Sequence, residues 1–569
     1  MNHGIKNQGK IHKIGVLIED YSLSKLEKEN LELLNNSGLN IEIFAIFQDY
    51  KKENLIQLFI RRYKHFGFLN LFYLFFFKIL TNLEKNILNY FFPKITNIEK
   101  KYLIKKDIFT KIINIKPIFS KDRLSIEYSK NDVELIKNEK LDIILKGNVK
   151  DIFRDKMSKM SKFGIISLSY MDNFWNAVGP TGFWEIILKK PATGFIIQIL
   201  SPDLDNTKIL FKGECATQKT FILNQFNLFC ESNSFIAKSI IKILEEQTIN
   251  SISLPNIDKA LILKVPNFYH TFKYIFLTLR LFFNISLQKF ILKKEQIWEV
   301  GYDRNYFDKI DYKNLKKIKN LPGRFFADPF VIKKNEKHYV FVEDYIKKDS
   351  KAVISVIEID NKDNHKYFTN IIEEDFHLSF PFIFEYENDL FMIPESSKNK
   401  DIRLYKCLKF PDKWSYCYNL ISNIDAADTI LFKKSNLYWL LTTSSKDNDY
   451  SSQLNIFFSD NPLSKKWIAH KKNPVRFDIN NGRNGGLIID ENGELVRATQ
   501  TCDYNKYGQN QYGRKINLNS INDISETNFI ESYKYSINPD FKKNILGTHT
   551  INSTNNFTVL DYNFYGYLK

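Results

Sequence analysis

Cysteine is scarce in this sequence, and its pattern excludes the usual cysteine-based architectures. The 569 residues include five cysteines, with no CxxC pair and no spacing typical of zinc ligands. The nine histidines show no paired ligand spacing either, so the sequence predicts no metal site. Because an odd set of unpaired cysteines is typical of a reducing compartment, we do not expect a disulfide-stabilised secreted module.

Long apolar runs are also missing. The amino-terminal residues lack the apolar stretch and small-residue cleavage site of a signal peptide. The longest nearly uncharged run, residues 66–77, falls short of the roughly 20 residues that a membrane-spanning helix needs. We therefore expect a cytoplasmic protein, with the inner face of the membrane as an alternative location.

Two further absences narrow the function. No GxGxxG follows the first apolar run, so the dinucleotide-binding fingerprint is absent. No compact Lys/Arg block alternates with aromatic residues, so nucleic acid is not an expected partner despite the net charge of +17. The chain is nevertheless 44% hydrophobic and 15% aromatic, which excludes disorder and predicts a sizeable folded core.

The first half of the chain alternates strand-like apolar runs with a helical pattern, as in an α/β domain. An apolar run at residues 14–18, a helical pattern over 22–34 and a second apolar run at 41–47 predict a β-α-β unit. We place this α/β domain at residues 12–250, with an aromatic helical insertion at residues 55–100.

An amphipathic connecting segment is predicted to follow at residues 251–312. Its residues 266–294 resemble residues 55–95 in character, since both are aromatic and punctuated by Lys and Arg. Each has two interpretations, a helix buried against a core or an interfacial segment on an anionic membrane.

The second half changes to short strands with a repeated plan. Five segments consist of an inner strand, a polar turn and a second strand, with turn asparagines at Asn335, Asn388, Asn436, Asn492 and Asn555. Propeller blades of four strands need about 40 to 50 residues each. The sequence therefore predicts an all-β five-bladed propeller over residues 313–569.

In a propeller the innermost strands surround one axis, so polar residues near their starts converge there. The expected axial residues are Arg324, Asp328, His377, Ser379, Asp428, Arg483 and His549, with Glu395, Arg497 and Gln500 at the ends of second strands. Acidic, basic and imidazole groups in one place suit a polyhydroxylated ligand, and we expect a sugar. Asp328 and Asp428 are the candidate catalytic carboxylates; the alternative is that they cap turns.

The propeller segments resemble a known family. FFADPF at 325–330, the segment at 377–396, FPDKW at 410–414, DAADTILF at 425–432, WIAHKKNPV at 467–475 and HTIN at 549–552 look like the N-terminal propeller domain of glucosamine inositolphosphorylceramide transferases. That domain is similar to arabinanase-type glycosidases, in which an Asp at the position of Asp328 serves as base. The resemblance shows no matching acid in the fourth repeat, which has Arg483. In the plant-type transferases a separate domain carries the transfer, so the resemblance leaves the role of the propeller itself open.

Residues 12–225 resemble the Rossmann-like domain of methionyl-tRNA and sugar-nucleotide formyltransferases. Strand residues 164–166, the turn Gly179-Pro180, the strand start 193–195 and Asp205 carry this resemblance. It implies 10-formyltetrahydrofolate as a cofactor and Asp205 as a catalytic residue. The Asn-x-His pair of that family is replaced by Ser167 and Ser169, and a hydroxyl has no pKa near 7 with which to exchange the amine proton.

The sequence places other polar residues near the predicted formyltransferase-like site. Asn148, Asp172 and Asn173 are candidates to substitute for the missing pair, or else turn and cap residues, and Asp203 competes with Asp205 as the retained acid. Three hypotheses follow for the whole chain. It is a carbohydrate-active transferase of surface-polysaccharide or glycolipid synthesis with a sugar or nucleotide-sugar substrate, a non-catalytic carbohydrate-binding scaffold, or a glycosidase that uses Asp328.

Overall fold

The structure is a computed structural model in which most of the chain can be described. The described residues are 10–19, 22–49, 55–92, 98, 100–103, 108–119, 125–146, 152–153, 160–170, 180–200, 208–252, 266–444, 451–554 and 556–568. They form two compact units, Met1–Gly213 with Gln218–Phe276, and Glu214–Thr217 with Leu277–Lys569. Each unit has its own core, as expected for a chain of this length.

The amino-terminal unit contains a mixed sheet and six helices among its described residues. Its strands are β1 His12–Ile18, β2 Ser22–Ser24, β3 Ile41–Gln48, β4 Lys101–Leu103, β5 Lys111–Ile115, β6 Pro117–Phe119, β7 Ser125–Tyr128, β8 Ile143–Lys146, β9 Ile152–Phe153, β10 Ile165–Ser169, β11 Ala192–Ile199 and β12 Lys208–Ala216. Its helices are α1 Lys25–Asn35, α2 Leu55–Phe91, α3 Lys130–Asn138, α4 Phe183–Ile187, α5 Phe221–Glu246 and the start of α6 Phe268–Ser286, as far as Phe276. The rest of α6 and the π-helical turn Leu287–Ile291 that continues it belong to the carboxyl-terminal unit.

Seven of these strands form one sheet in the order β12-β11-β10-β8-β1-β3-β5. Strands β5, β3, β1, β8 and β10 are parallel, and β11 is antiparallel to β10. The predicted β-α-β unit is confirmed, since α1 connects the parallel strands β1 and β3 and starts with a capping box between Ser24 and Glu27. The order reverses between β1 and β8, which opens a crevice at the carboxyl ends of these strands.

The carboxyl-terminal unit is a five-bladed propeller, as the repeat predicted. Blade I is β15 to β18, blade II β19 to β22, blade III β23 to β26 with β27, and blade IV β28, β29, β32 and β33. The strands are β13 Glu295–Asp303, β14 Lys316–Ile318, β15 Arg324–Lys334, β16 Lys337–Ile346, β17 Lys351–Ile359, β18 His365–Ile372, β19 Ser379–Tyr386, β20 Asp389–Ser396, β21 Asp401–Lys409, β22 Lys413–Ser422, β23 Ala426–Lys434, β24 Leu437–Ser444, β25 Gln453–Ser459, β26 Ile468–Ala469, β27 Arg476–Phe477, β28 Arg483–Ile489, β29 Leu495–Gln500, β30 Asp503–Tyr504, β31 Asn510–Gln511, β32 Ile516–Ile524, β33 Phe529–Ile537, β34 Ile551–Thr554 and β35 Phe557–Gly566.

Blade V joins the two ends of the propeller. Its strand order is β14-β13-β35-β34, so two strands come from before blade I and two from the end of the chain. Strand β13 pairs with β35 over nine residue pairs, from Glu295 with Gly566 to Asp303 with Thr558. The propeller therefore takes in residues before position 313, where the sequence placed its start, because its last blade is completed by an earlier strand.

Close packing around the axis explains a pair of glycines in blade IV. A Cβ atom on Gly485 would lie 2.4 Å from the carbonyl oxygen of His549, and one on Gly486 would lie 2.1 Å from that of Ile551. No side chain fits between these backbones, so blades IV and V approach each other only because both positions are glycine.

Candidate functional site

The innermost strands of blades I to IV share a β-bulge at corresponding places. The register shifts fall between Ala327 and Phe330, Ser379 and Phe382, Ala427 and Ile430, and Asn484 and Gly486. Asp328 and Asp428 occupy the bulges of blades I and III, and each has φ of +50°. A bulge re-aims the side chain it carries, and a left-handed backbone is uncommon outside glycine. The shared bulge and φ place the two aspartates at equivalent positions of blades I and III.

Asp328 interacts with His549, Thr550 and Asp561 of blade V. His549 Nδ1 lies 2.6 Å from Asp561 Oδ2, and His549 Nε2 lies 3.4 Å from Asp328 Oδ1. Thr550 Oγ1 donates to Asp328 Oδ1 at 2.6 Å, and the Asp328 backbone N–H donates to Asp561 Oδ2 at 2.9 Å. The imidazole therefore lies between two carboxylates that are 233 residues apart in the chain.

This arrangement changes the protonation of both partners. Burial raises the pKa of Asp328 to about 7; His549 and Thr550 oppose the rise, and the carboxylates of Glu343 and Asp561 add to it. Burial would lower the pKa of His549, but Asp561 and Asp328 outweigh it and raise that pKa to about 9. At neutral pH His549 is thus a cation and Asp328 is close to its own titration point.

Asp428 forms the second buried ion pair of the axis. Arg483 Nε donates to Asp428 Oδ2 at 2.6 Å, and Gln500 Nε2 donates to the same oxygen at 2.9 Å. Burial raises the pKa of Asp428 well above its usual value; Arg483 opposes this rise, and Glu395 and Asp328 add to it. The other oxygen, Asp428 Oδ1, is buried and accepts no hydrogen bond from a described donor, and the Asp428 carboxyl is also hydrogen-bonded to the Glu395 carboxyl, which adds to the rise of its pKa.

His377 and two glutamates complete the site towards solvent. His377 Nε2 lies 3.1 Å from Glu343 Oε1, and the His377 side chain is 32% exposed. Burial lowers the pKa of His377, but the hydrogen bond and charge of Glu343 outweigh it and raise that pKa overall, with help from Glu395 and Asp328. Glu343 pairs opposite Ala327 and Glu395 opposite Ser379, each just before a bulge, so the two glutamates are equivalent residues of blades I and II.

The structure thus brings together side chains from all five blades. We name Asp328, Glu343, His377, Glu395, Asp428, Arg483 and His549 the axial site. Glu343 was not identified from the sequence. Alignment of FVED in the first repeat with IPES in the second places Glu343 at the position equivalent to Glu395. Two aromatic rings border the site, since Tyr512 lies 4.2 Å from the Arg483 guanidinium and Trp298 stacks on His549 at 3.8 Å.

Three residues that the sequence assigned to the ligand make contacts within their own blades. Arg324 donates to Asp344 Oδ2 and to Asn370 Oδ1, both at 2.8 Å, within blade I. Arg497 is fully buried and forms a bidentate pair with Glu531, at 2.5 and 2.8 Å. Ser379 is buried and pairs with Glu395 in the ladder of blade II. The two arginines satisfy buried groups of their own blades, which is information that the sequence pattern did not carry.

The metal-binding potential of the axial site lies in Asp328, His549 and Asp561. Their ligand atoms lie within 4.8 Å of one another. However, both imidazole nitrogens of His549 face carboxylate oxygens, and a metal-bound imidazole must offer an unprotonated nitrogen. We therefore interpret this group as an imidazolium between two carboxylates.

The amino-terminal unit has a separate cavity of about 640 Å³ at the carboxyl ends of β1, β8 and β10. It is lined there by Ile18, Lys146, Leu168 and Tyr170, and helices α1 and α5 complete its wall. Ser167 and Ser169 alternate with Leu168 and Tyr170 along β10, so they face the opposite side of the sheet. Asn148, Asp172, Asn173, Asp203 and Asp205 lie outside the described residues.

The charge of His549 makes the stability of the propeller dependent on pH. Its pKa is about 9 in the folded protein and about 6.5 when free, so folding favours the protonated form between these values. The resulting stabilisation is present below pH 6.5 and is lost as the pH rises to 9, an effect of at most about 3 kcal/mol. Thermal unfolding of the propeller should therefore occur at a lower temperature at pH 9 than at pH 6.5, and His549→Gln should remove most of this difference.

His338→Gln is the matched control for this measurement. His338 is also a buried propeller histidine, but burial lowers its pKa to about 4, so it is neutral throughout the same range. The control should keep the wild-type dependence on pH. An unchanged dependence in His549→Gln would show that the imidazolium does not contribute.

Comparison with known proteins supports the resemblance seen in the motifs. Residues 314–555 match the family model described as "Glucosamine inositolphosphorylceramide transferase 1, N-terminal". The glucosamine inositolphosphorylceramide transferase 1 of Oryza sativa subsp. japonica is 32% identical over 215 residues, which are 37% of this chain and 28% of that protein. The protein of the same name in Arabidopsis thaliana is 31% identical over 219 residues, covering 37% and 27% of the two chains.

Among solved structures, a thermostable family-43 glycoside hydrolase is 15% identical, covers 39% of this chain and 81% of its own, and has a TM-score of 0.31. This chain spans less than a third of the length of the curated relatives it matches. The propeller motifs, which run from residue 325 to residue 552, lie within the region that the family model matches. Over residues 314–555, this chain is similar to the N-terminal domain of glucosamine inositolphosphorylceramide transferases.

Proposed function

We propose that this chain is a carbohydrate-active transferase of glycolipid or surface-polysaccharide synthesis, and that the axial site binds its sugar. The observation that carries the proposal is the meeting of carboxylates, a guanidinium and imidazoles from five blades around one axis. The names of the curated relatives, which are glycolipid-synthesising transferases, support the same class of reaction.

Each part of the axial site suits a polyhydroxylated ligand. The carboxylates of Glu343 and Glu395 are acceptors for sugar hydroxyls on the solvent side of the site, and Arg483 and His377 are charged donors. This favours a ligand with several hydroxyl groups over an apolar one.

Asp328 is the residue to which we assign proton transfer. When a hydroxyl attacks the anomeric carbon of a donor sugar, the new C–O bond forms, the bond to the leaving group breaks and the hydroxyl loses its proton. A carboxylate with a pKa of about 7 is well matched to accept that proton near neutral pH. The cationic His549, whose Nε2 lies 3.4 Å from Asp328 Oδ1, would stabilise the ionised form of Asp328.

Glycoside hydrolysis is the second candidate, and Glu343 and Glu395 favour it. Hydrolysis needs two carboxyl groups, one as acid and one as base or nucleophile. The fourth repeat has Arg483 and no matching acid, and Glu343 and Glu395 are candidates for the acid. In a product assay, formation of a new glycoside would support the transferase. Hydrolysis of the donor to a free reducing sugar would support the glycosidase.

For the amino-terminal unit we propose a Rossmann-like formyltransferase scaffold that holds a nucleotide sugar or an amino sugar. The reversal of strand order between β1 and β8 supports this proposal. The hydroxyls of Ser167 and Ser169 do not fit formyl transfer from 10-formyltetrahydrofolate, because neither can act as the general base of that reaction at neutral pH. We therefore derive no catalytic step for this unit.

A ligand screen by thermal unfolding tests the proposed function. A ligand at 100 times its dissociation constant should stabilise the unit that binds it by about 2.7 kcal/mol. We expect stabilisation of the propeller by a sugar, a nucleotide sugar or a glycolipid head group, and loss of that effect in Asp428→Asn. Folates form the comparison arm, and stabilisation by 10-formyltetrahydrofolate would contradict our interpretation of Ser167 and Ser169.

Asp389→Asn is the control for the screen. Asp389 pairs with Lys406 at 2.6 Å on blade II, and its side chain is 44% exposed. This variant should retain the ligand response of the wild-type protein. A propeller that no saccharide stabilises would refute the sugar-binding proposal.

A further inference from the structure

The exposed apolar surface of this protein is concentrated on two helices. Of the 36 large hydrophobic or tyrosine side chains that are exposed among the described residues, 20 lie at positions 63–92 or 269–292. Single exposed apolar residues are normal on a soluble protein, but a contiguous cluster of this kind marks an interaction surface.

On α2 these residues form one continuous stripe. The outward-facing positions are three or four residues apart, which is the spacing of one helix face, and they are Phe68, Phe72, Phe75, Ile79, Leu83, Ile87 and Tyr90. The opposite face packs inward, as Phe77 is 7% exposed and contacts Phe183 and Phe221. The helix is therefore apolar on both faces, although nothing in the described chain covers the outer one.

The amino-terminal part of α6 extends this surface. Phe268 makes edge contacts with Phe72, Tyr73 and Phe76, at centroid distances of 5.5, 4.6 and 5.4 Å. Tyr269, Phe272 and Phe276 then remain 59–68% exposed. The outer faces of α2 and this part of α6 form one surface, which we name the apolar platform.

Hydrogen bonds hold the two helices of the platform together. Tyr274 donates to Glu84 Oε2 at 2.7 Å, and its hydroxyl accepts from the Phe221 backbone N–H at 2.9 Å. Glu84 Oε1 accepts from the Ile222 backbone N–H at 2.8 Å. Because Glu84 and Tyr274 satisfy the free N–H groups at the start of α5, the two helices cannot separate without leaving buried polar groups unpaired.

The charges along these helices are almost all positive. Residues 268–276, the part of α6 that belongs to the platform, include Lys273 and no Asp or Glu. Residues 55–92 include five Lys or Arg and one acid, Glu84, which is engaged in the contacts just described. Apolar side chains flanked by Lys and Arg are typical of helices that lie on bilayers containing anionic lipids, where each nearby cation contributes about 1 kcal/mol.

We infer that the apolar platform binds the surface of an anionic lipid bilayer, with α2 and the amino-terminal part of α6 lying in the interface. This goes beyond the proposed transferase activity and does not depend on it. Residues Phe268–Ile291 form the one described helix that is long and apolar enough to span a membrane. Thr271 and Tyr274 are nonetheless only 1% and 3% exposed, so one face of α6 is packed against protein, which favours an interfacial position over a spanning one.

Sedimentation with vesicles tests this inference. The full chain should sediment with vesicles of about 70% phosphatidylcholine and about 30% phosphatidylglycerol, and much less with phosphatidylcholine alone or at high salt. The variant Phe75→Asp/Leu83→Asp should bind the anionic vesicles at least about tenfold more weakly, because it places charge on the apolar stripe. Both side chains are more than half exposed, so the substitutions should leave folding intact, as circular dichroism can check.

Ile468→Asp/Ile489→Asp is the matched control. It adds the same charge at exposed apolar positions of the propeller, 59% and 60% exposed, and should bind vesicles like the wild-type protein. Equal vesicle binding by Phe75→Asp/Leu83→Asp and the wild-type protein would overturn the inference. So would a lipid-free dimer that these substitutions dissociate, because the platform would then be covered by a second copy of the chain.

Discussion

Replacing Asp328 with asparagine is expected to lower the rate of sugar transfer by about 10²- to 10⁴-fold, the usual contribution of a positioned general base. Sugar affinity should stay within about tenfold, or about 1.4 kcal/mol. Asparagine tolerates the left-handed backbone of this bulge, with φ of +50°, and keeps an acceptor for Thr550 Oγ1. The change therefore removes the proton acceptor while it preserves the local structure.

Transfer assays and titration with the sugar identified by the ligand screen would measure the two effects separately. Asp389→Asn, at the exposed start of β20, should leave both rate and affinity unchanged. A loss of affinity in proportion to the loss of rate would support a binding scaffold rather than an enzyme. Full activity in Asp328→Asn would remove this residue from the mechanism.

Arg497→Met is expected to destabilise the propeller by about 3–5 kcal/mol, the cost of leaving one member of a buried ion pair alone. Arg497 donates twice to Glu531, once to Asn484 Oδ1 at 3.0 Å and once to the Asn481 carbonyl oxygen at 2.9 Å. Methionine fills a similar volume but leaves the Glu531 carboxylate buried without its main partner. Chemical denaturation of the propeller would measure the loss.

The same glutamate provides the control. Arg476 Nε lies 3.5 Å from Glu531 Oε2, and its side chain is 33% exposed, so Arg476→Met should cost about 1 kcal/mol or less. Adding Glu531→Leu to Arg497→Met should recover much of the lost stability, because no buried charge then remains unpaired. A small effect of Arg497→Met with unchanged sugar binding would mean that the ion pair is not needed for stability. Lost binding with unchanged stability would restore Arg497 as a ligand contact.

Two arginines of blade IV show where sequence reasoning reached its limit. Arg483 starts the inner strand and Arg497 lies on the second strand, and the repeat pattern assigns both to the axis. In the structure Arg483 pairs with Asp428 of blade III, whereas Arg497 turns to Glu531 of its own blade. Side chains alternate between the two faces of a strand, so a difference of one residue in the register decides which neighbour each meets.

The bulge aspartates are the opposite case. Asp328 and Asp428 occur at the same place in two repeats, and that repetition alone predicts equivalent positions. Their surroundings were not predictable, since Asp561 and Thr550, which bond to Asp328, are more than 200 residues away in the chain. The acid-base properties of Asp328 depend on these distant partners.

The sequence by itself determined the five repeated hairpins and the β-α-β start of the first unit, because alternation, helical spacing and turn residues act over a few neighbouring residues. Only the tertiary structure decided that β13 completes blade V, that Glu343 joins the axis and that His549 is held as a cation. These features depend on burial and on contacts between distant segments, and both arise only when the chain has closed into a propeller.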